Sequence, residues 1–204
     1  MSLPYNIENF LLAAQTIKVC VPENHAVKDW YLQNTPASFP YWAKVWDASV
    51  GLSMFIALNE KLFFGKKVLE LASGLGLPSL TVAGFADTVV CSDFINQPLQ
   101  YVQLSAKENR IINLSTEKID WNEYAKNEIN EEIILLSDVN YDPDCFEELY
   151  KCFIRILQQQ KTIVLSTPQR LMAKPFIEKI FPFVQQQELF NVNSKDVSVY
   201  VLKT

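Results

Sequence analysis

The sequence has few of the residues that build metal sites, catalytic triads or nucleic-acid surfaces. Its 204 residues include one histidine, His25, and its four cysteines form no Cys-x-x-Cys pair. A zinc site needs several such ligands and a Ser-His-Asp triad needs a placed histidine, so we expect neither, and no bound metal. Lysine and arginine number 18 against 23 acidic residues, for a net charge of −5. No basic stripe stands out, so we expect no nucleic-acid partner.

Long hydrophobic runs are also missing. No apolar stretch approaches the roughly 18 residues of a membrane-spanning helix, so we expect no membrane partner. The N-terminus lacks the basic and then apolar segments of a secretory signal. With 49% hydrophobic and 20% charged residues, the composition is that of an ordinary globular chain. We therefore expect a cytoplasmic monomer with one domain over residues 1–204.

Buried strands alternate with amphipathic helices along most of the chain. The pattern predicts strands at 68–72, 88–93, 116–120, 133–138 and 162–166. It predicts helices at 48–60, from Pro78, at 98–109, after Asp142-Pro143, and at 174–181. Segments 188–192 and 197–202 flank a turn-rich tetrapeptide and read as an antiparallel hairpin. The prediction is an α/β fold with a mostly parallel seven-stranded sheet, helices on both faces and a C-terminal hairpin.

The segment from Lys67 to Pro78 reads as a buried strand, a glycine loop and the start of a helix. Glu70 lies in the strand, and Gly74 and Gly76 allow a ligand to approach the backbone closely. The next strand ends in Asp93, where an acid is placed to bind the two hydroxyls of a ribose. This pattern predicts a nucleoside-cofactor site. An NAD-binding fold has the same pattern but prefers a third glycine near Ser79, so NAD is the minor alternative.

These features together resemble the class I, seven-β-strand, Rossmann-like S-adenosylmethionine methyltransferases. Pro40-Tyr41-Trp42-Ala43, followed by Trp46, is similar to the segment ahead of the cofactor domain in the lysine methyltransferases of this class. That group includes the electron-transfer-flavoprotein β-subunit enzyme and relatives described as nicotinamide N-methylase-like. Asp120-Trp121 is similar to the pair that contacts adenine, and Ser137–Tyr141 matches the Asp-x-x-Tyr motif of the lysine-directed group. The resemblance runs from about Phe39 to Thr204.

The resemblance implies S-adenosylmethionine as cofactor and methyl transfer to an amine, foremost a protein lysine. Asp138 and Tyr141 would orient the acceptor amine. Residues 1–60, rich in aromatics, would form a substrate lid, and 61–204 the cofactor-binding core. The chain departs from the family at Ala72, where glycine is usual and alanine fits if φ is below zero. The cofactor site would comprise Trp46, Glu70, Gly74, Gly76, Asp93, Asp120, Trp121 and Ser137.

The residue chemistry agrees with this reading and leaves alternatives. A carboxylate such as Asp138 can accept N–H bonds from the acceptor, and Tyr141 can favour the cationic product. Asp138 is otherwise a turn former, although Asp142 is better placed to cap the next helix. Trp121 can equally close the core, and Arg170 can pair with an acidic loop or the substrate, or stay solvated.

Two alternatives to a protein-lysine methyltransferase remain open, and a third is disfavoured. The first is a small amine or ring nitrogen in place of protein lysine. The second is a cofactor-binding protein without turnover, because fold alone does not establish chemistry. The third, a nucleic-acid base, is disfavoured, since base methyltransferases typically have two prolines where this chain has Val139 and Asn140.

Overall fold

The elements of the chain alternate as the sequence predicts. A computed structural model describes residues 3–34 and 39–204. The strands in this part are β1 (Tyr5–Leu12), β2 (Gln15–Pro22), β3 (Lys67–Leu71), β4 (Thr88–Asp93), β5 (Leu114–Lys118), β6 (Ile133–Ser137), β7 (Thr162–Pro168), β8 (Val184–Val192) and β9 (Lys195–Leu202). The helices are α1 (Asn24–Asn34), α2 (Asp47–Leu58), α3 (Glu60–Phe63), α4 (Leu77–Val82), α5 (Asn96–Glu108), α6 (Trp121–Tyr124), α7 (Phe146–Gln158) and α8 (Lys174–Ile180). The predicted section 1–60 includes residues 1–2 and 35–38, which lie outside the described residues.

The central sheet confirms the predicted fold class. Its seven strands follow the order β5-β4-β3-β6-β7-β9-β8. The first five are parallel to one another, whereas β9 runs antiparallel to both β7 and β8. The strand order reverses between β3 and β6, and ligands of open α/β sheets bind outside the carboxyl ends of the strands at such a point.

Side chains that alternate along the central strands build a core on each face of the sheet. Val68 of β3 and Leu135 of β6 face a layer that includes α2, while Leu69 and Leu136 face α7 and α8. This alternation is the two-residue period of a strand, and burial on both faces explains the nearly continuous hydrophobic runs. Ser166 Oγ on β7 donates to the Ala48 carbonyl at 2.9 Å, which fixes the first turn of α2 on the sheet.

The predicted helix at 48–60 ends two residues early, at Leu58. Asn59 leaves the helical conformation with φ −119° and ψ 38°, and its side chain donates to the Phe55 carbonyl at 3.0 Å. Bonds of this kind allow asparagine to satisfy a helix end, so the helix stops and the short α3 follows.

Two N-terminal strands were not predicted. β1 and β2 pair antiparallel as a separate hairpin, and α5 packs against it. Three groups on successive turns of α5 bind the N-terminal segment: Tyr101 with Leu3, Ser105 with Cys20, and Asn109 with Lys18. No helix of the described residues combines the length and apolarity needed to cross a bilayer.

The loop after β3 contains three residues with positive φ. Gly74 and Gly76 have φ of 54° and 67°, in the left-handed region that glycine adopts without steric cost. Ala72 also lies there, at 53°, so the condition of a negative φ for an alanine at this position is not met. A non-glycine residue pays about 1–2 kcal/mol for this conformation, and Ala72 carries that strain at the end of β3.

Substitution of Gly76 separates backbone strain from crowding. A Cβ on Gly76 would stand 2.8 Å from Cys91 Sγ and 2.9 Å from Val102 Cγ2, whereas one on Gly65, with φ 68°, would meet nothing within 4 Å. We expect Gly65→Ala to lower the free energy of unfolding by about 1 kcal/mol. Gly76→Ala should lower it by a further 1–3 kcal/mol or so, because Cys91 and Val102 must shift. Urea unfolding of both variants measures the difference, and equal losses would contradict the packing argument.

Candidate functional site

The carboxyl ends of the parallel strands gather most of the predicted site residues at one edge of the sheet. Ala72 follows β3, Asp93 ends β4, Asp120 follows β5, and Ser137 and Asp138 end and follow β6. Neighbouring strands in this sheet are hydrogen-bonded. Residues distant in sequence therefore line one crevice, with the change of direction between β3 and β6 at its centre.

Glu70 is fully buried in β3 and connects this strand to the helix that follows. Its Oε2 accepts from the Ser79 amide at 2.9 Å and from Ser79 Oγ at 2.5 Å. Burial raises the pKa of Glu70 to about 8, against the opposing effect of the Ser79 bonds. Among the described residues, Glu70 Oε1 and the buried Ser73 Oγ have no hydrogen-bond partner. Two unsatisfied polar atoms thus lie close to the glycine loop, where a polar ligand group would satisfy them.

Asp93 holds the other side of the same loop. Its Oδ2 accepts from the Gly74 amide at 2.9 Å, and its Oδ1 accepts from the Ile95 amide at 3.2 Å. Burial raises the pKa of Asp93, while these backbone donors work in the opposite direction. Each carboxylate oxygen can accept two hydrogen bonds, and each oxygen of Asp93 accepts one here. Asp93 therefore has lone pairs left for a ligand hydroxyl while it fixes the loop.

The two predicted loop glycines have different neighbours. A Cβ on Gly74 would lie 3.5 Å from the Trp42 carbonyl, which is ordinary van der Waals contact. The backbone of the N-terminal aromatic segment therefore lies against this glycine. Gly76, by contrast, packs onto Cys91 and Val102, so its missing side chain serves the core of the domain.

Asp120 and Trp121 have structural contacts of their own. Asp120 caps α6, because its Oδ1 accepts from the Asn122 amide at 2.9 Å. Trp121 is partly buried and packs against the core on the α7 face. Trp121 thus closes the core, as the alternative interpretation of the sequence proposes, and the role of both residues at an adenine ring remains a prediction.

Asp138 is bound by an arginine from the neighbouring strand. Arg170, which follows β7, donates from Nη1 to Oδ1 at 2.6 Å and from Nη2 to Oδ2 at 2.9 Å. Asp138 has φ 53°, and its amide donates to the Ser166 carbonyl at 2.9 Å. Asp142 caps the 3-10 turn at Pro143–Cys145 through the Asp144 amide, one turn ahead of α7, whose own N-cap is Cys145; the predicted cap therefore acts on this turn and not on α7 itself. Asp138 therefore does not cap this turn, and its carboxylate instead accepts both hydrogen bonds from the Arg170 guanidinium.

Exposed aromatic rings of the segment ahead of α2 meet Tyr141, which follows Asp138 by three residues. Tyr141 and Tyr41 have ring centres 6.1 Å apart, and Phe39 is 5.1 Å from Tyr41. All three remain exposed, at 51%, 53% and 55%. Trp46 Nε1 donates to the Tyr41 carbonyl at 2.8 Å, which attaches this aromatic patch (Phe39, Tyr41, Trp46 and Tyr141) to the start of α2.

Two cavities open at the site. One, of about 370 Å³, includes Trp46, Asp138, Gln169 and Arg170 in its lining and is called the acceptor cleft below. The other, of about 410 Å³, is lined from α1, β5 and the start of α5, next to the end of β4. Trp46, predicted for the cofactor site, thus borders the cleft at Asp138. No three His, Cys, Asp or Glu side chains of the described residues group as a metal ion would require.

Sequence reasoning gave no site role to three residues of this edge. Ser73 has an unpartnered buried hydroxyl, and Trp42 contributes the backbone that lies against Gly74. Asn140 is fully buried, and neither side-chain polar atom has a partner among the described residues. Each lies inside one of the motifs described above. What distinguishes these residues is their burial and their contacts, which the sequence does not show.

The chain matches known proteins over much of its length. A family model described as lysine methyltransferase matches residues 37–183. A histone-arginine methyltransferase, METTL23 of Xenopus laevis, is 31% identical over 114 residues, which are 53% of this chain and 49% of that protein. A Caenorhabditis elegans homolog of the electron transfer flavoprotein beta subunit lysine methyltransferase is 30% identical over 146 residues, covering 64% and 59%. The chain thus spans roughly half the length of these relatives.

Solved structures share the fold at low sequence identity. The 16S rRNA N2 G1207 methyltransferase of T. thermophilus, in complex with AdoMet and guanosine, has a TM-score of 0.65 at 17% identity, covering 100% of this chain and 52% of that one. TrmK of M. capricolum, in complex with S-adenosylhomocysteine, has a TM-score of 0.53 at 10% identity, covering 71% and 65%. These likenesses establish a methyltransferase fold. Because the family model covers well over half of the chain, the protein belongs to the lysine methyltransferase family.

Proposed function

We propose that this protein is an S-adenosylmethionine-dependent N-methyltransferase whose acceptor is a lysine side chain of another protein. The observation that carries the proposal is the Asp138 carboxylate, held at the end of β6 beside the glycine loop and already bound to a nitrogen cation. Membership of the lysine methyltransferase family supports the reaction class. The chain covers only part of its relatives, so activity and substrate are inferred from this site.

The glycine loop suits the methionine and ribose parts of the cofactor. An ammonium group would satisfy Glu70 Oε1 and Ser73 Oγ, the two buried atoms without partners. The free lone pairs of Asp93 would accept the ribose hydroxyls, and a ligand can lie along the backbone at Gly74. Asp120 and Trp121 would contact the adenine, although each already has a structural contact. The fit is therefore best at Glu70, Ser73 and Asp93.

The chemistry asks the protein for positioning above all. The cofactor supplies a methyl group made electrophilic by its sulfonium. Asp138 accepts N–H bonds from the acceptor amine and so directs the nitrogen lone pair towards that methyl group. Tyr141 presents its ring to the positive charge that develops on nitrogen. Phe39, Tyr41 and Trp46 of the aromatic patch belong to the section 1–60 that is predicted to form a substrate lid, and a bound acceptor that covers them would exclude water from the reacting atoms.

An open cleft favours a polypeptide over a small amine. The acceptor cleft is bordered by charged side chains, and the aromatic patch beside it stays largely exposed. Exposed aromatics next to a polar cleft are typical of a protein-binding surface. With a net charge of −5, the chain favours a basic protein substrate over nucleic acid. That the protein works as a cytoplasmic monomer stays a prediction.

Labelling of a cell extract tests the reaction and the acceptor together. We expect the wild type to transfer radiolabelled methyl groups into the protein fraction, where acid hydrolysis releases methyllysine. Asp138→Asn should slow transfer about 100-fold or more, because the acceptor is no longer oriented. The matched control is Asp144→Asn, an exposed carboxylate of the same loop. If the label is confined to small molecules, the acceptor is a free amine and not a protein lysine. If hydrolysis releases methylarginine, the acceptor is an arginine guanidinium.

Binding of S-adenosylhomocysteine tests the cofactor site without turnover. We expect Asp93→Asn to weaken binding about 10- to 100-fold, because the ribose hydroxyls lose a charged acceptor. Asp87→Asn is the control, since Asp87 is exposed before the opposite end of β4. Titration calorimetry measures both variants. Binding of NAD in place of S-adenosylhomocysteine by the wild type would contradict the assignment.

The protonation of Glu70 gives that binding a pH dependence. The free protein has a Glu70 pKa of about 8, and a bound ammonium favours the carboxylate, so binding releases a proton below that pH. Affinity for S-adenosylhomocysteine should therefore rise between pH 6 and 8 and level off above. Glu70→Gln has no proton to release and should bind weakly with a flat profile. A flat profile for the wild type would remove Glu70 from contact with the ligand.

A further inference from the structure

Arg170 lies where the proposed mechanism needs an acceptor amine. Its guanidinium meets Asp138 end-on, with Nη1 on one carboxylate oxygen and Nη2 on the other, at 2.6 and 2.9 Å. The side chains are 33% and 13% exposed, so the pair is sheltered but reaches the acceptor cleft. Paired forks of this kind are among the stronger charged contacts, and lysine cannot reproduce their geometry.

The surrounding backbone holds both partners in place. Asp138 is fixed by its positive φ and by its amide bond to Ser166 on β7. Arg170 begins a turn, in which the Ala173 amide donates to the Arg170 carbonyl at 3.0 Å. The preceding Gln169 amide donates to the Asp196 carbonyl, also at 3.0 Å. The ion pair is therefore built between β6, β7 and β9, and does not depend on one long side chain in solvent.

The other charged side chains of the cleft form one ion pair, between Asp47 and Lys195, with Lys44 near Asp47, whereas Asp196 has an uncharged amide as its partner. Asp47 accepts from Lys195 Nζ at 2.7 Å and from Asn193 Nδ2 at 2.8 Å. Asp196 Oδ1 accepts from Asn191 Nδ2 at 2.9 Å. On the other side of Asp138, the ionisable groups near Tyr141 are Tyr41, Asp142 and Cys145. Desolvation raises the pKa of Tyr141, so it stays neutral. None of these groups is hydrogen-bonded to the Asp138 carboxylate, to which Arg170 donates.

We propose that Arg170 is a positioning residue that stays on Asp138 during turnover, neutralises the charge of that carboxylate, and so selects the acceptor lysine as its neutral amine. The inference rests on the proposed function. Arg170 would thereby set the protonation state in which the acceptor lysine binds, which Asp138 and Tyr141 alone do not explain.

The charge on the acceptor decides whether it can react. An ammonium has no lone pair, so its proton must pass to solvent before the nitrogen can react. A lone carboxylate would hold the ammonium form, whereas a carboxylate paired with a guanidinium offers it little net attraction. The carboxylate has about four lone-pair sites, of which the fork uses two, so Asp138 can still accept an amine N–H. The nitrogen lone pair then forms the new N–C bond while the C–S bond breaks and its electron pair goes to sulfur.

The pH profile of methyl transfer distinguishes this role from a structural one. The probe is the protein fraction of a cell extract, at saturating S-adenosylmethionine, between pH 6.5 and 10. In Arg170→Gln we expect the half-maximal pH of kcat to rise by about one pH unit, because Asp138 is left as a bare anion beside the ammonium. The plateau at high pH should persist, and the apparent KM at pH 7 should fall. Arg170→Lys keeps the charge and should restore most of the wild-type profile.

The controls keep the outcomes distinct. Arg155→Gln on α7 removes an arginine away from the cleft and should leave the profile unchanged. If Arg170→Gln lowers the plateau without moving the profile, Arg170 is structural and the proposal fails. If it raises kcat/KM equally at every pH, Arg170 blocks the site and must leave, which also overturns the proposal. No transfer by the wild type would instead contradict the proposed function.

Binding of butylammonium, a mimic of the lysine side chain, gives a readout without turnover. With S-adenosylhomocysteine bound, we expect Arg170→Gln to bind this cation at pH 7 about tenfold more tightly than the wild type. Calorimetry measures the affinity, and thermal unfolding confirms that the variant is folded. Equal affinities in the two proteins would overturn the proposal even if the protein methylates lysine.

Discussion

One buried carboxylate fixes the loop on which the site depends. Glu70 reaches from β3 to the first turn of α4 and binds both the amide and the hydroxyl of Ser79. A serine at this position thus does what a third glycine would not, since it gives the carboxylate a side-chain donor. Asp93 holds the loop from the other side through the Gly74 amide. These bonds fix the loop without a ligand, and Glu70 Oε1, which has no partner among the described residues, is left to bind one.

Two non-glycine residues with a strained backbone lie at the same edge. Ala72 and Asp138 each follow one of two adjacent parallel strands, β3 and β6, and each takes a left-handed conformation without being glycine. Such conformations persist only where surrounding contacts enforce them, and they concentrate at functional sites. Here the Ser73 amide binds the Ser92 carbonyl, and the Asp138 amide binds the Ser166 carbonyl. Each neighbouring strand therefore holds the chain to the sheet at the residue where the regular strand ends.

The sequence predicted the parts of this fold in which local signals agree with tertiary ones. The strand at 88–93 is recovered to the residue, and Asp142 is a cap, although of the 3-10 turn ahead of α7 and not of α7 itself. The N-terminal hairpin was missed because its turn contains no glycine or asparagine; Ala13, with φ 50°, makes it instead. The predicted carboxylates at the strand ends were brought to one edge. The ion pair of Asp138 with Arg170 spans 32 residues and follows only from the adjacency of β6 and β7.

One part of the wall of the acceptor cleft comes from outside the stretch that is shared with the family. The glycine loop, Asp93 and Asp138 all lie within residues 37–183, the stretch shared with the family. Lys195 and Asp196, which complete the wall of the acceptor cleft, belong to the C-terminal hairpin beyond it. An exchange of residues in that hairpin turn can therefore reshape what the cleft admits without disturbing the loop beside Asp93. The wall of the cleft and the glycine loop are thus separate targets for substitution, so what the cleft admits can be altered without touching the residues proposed to hold the cofactor.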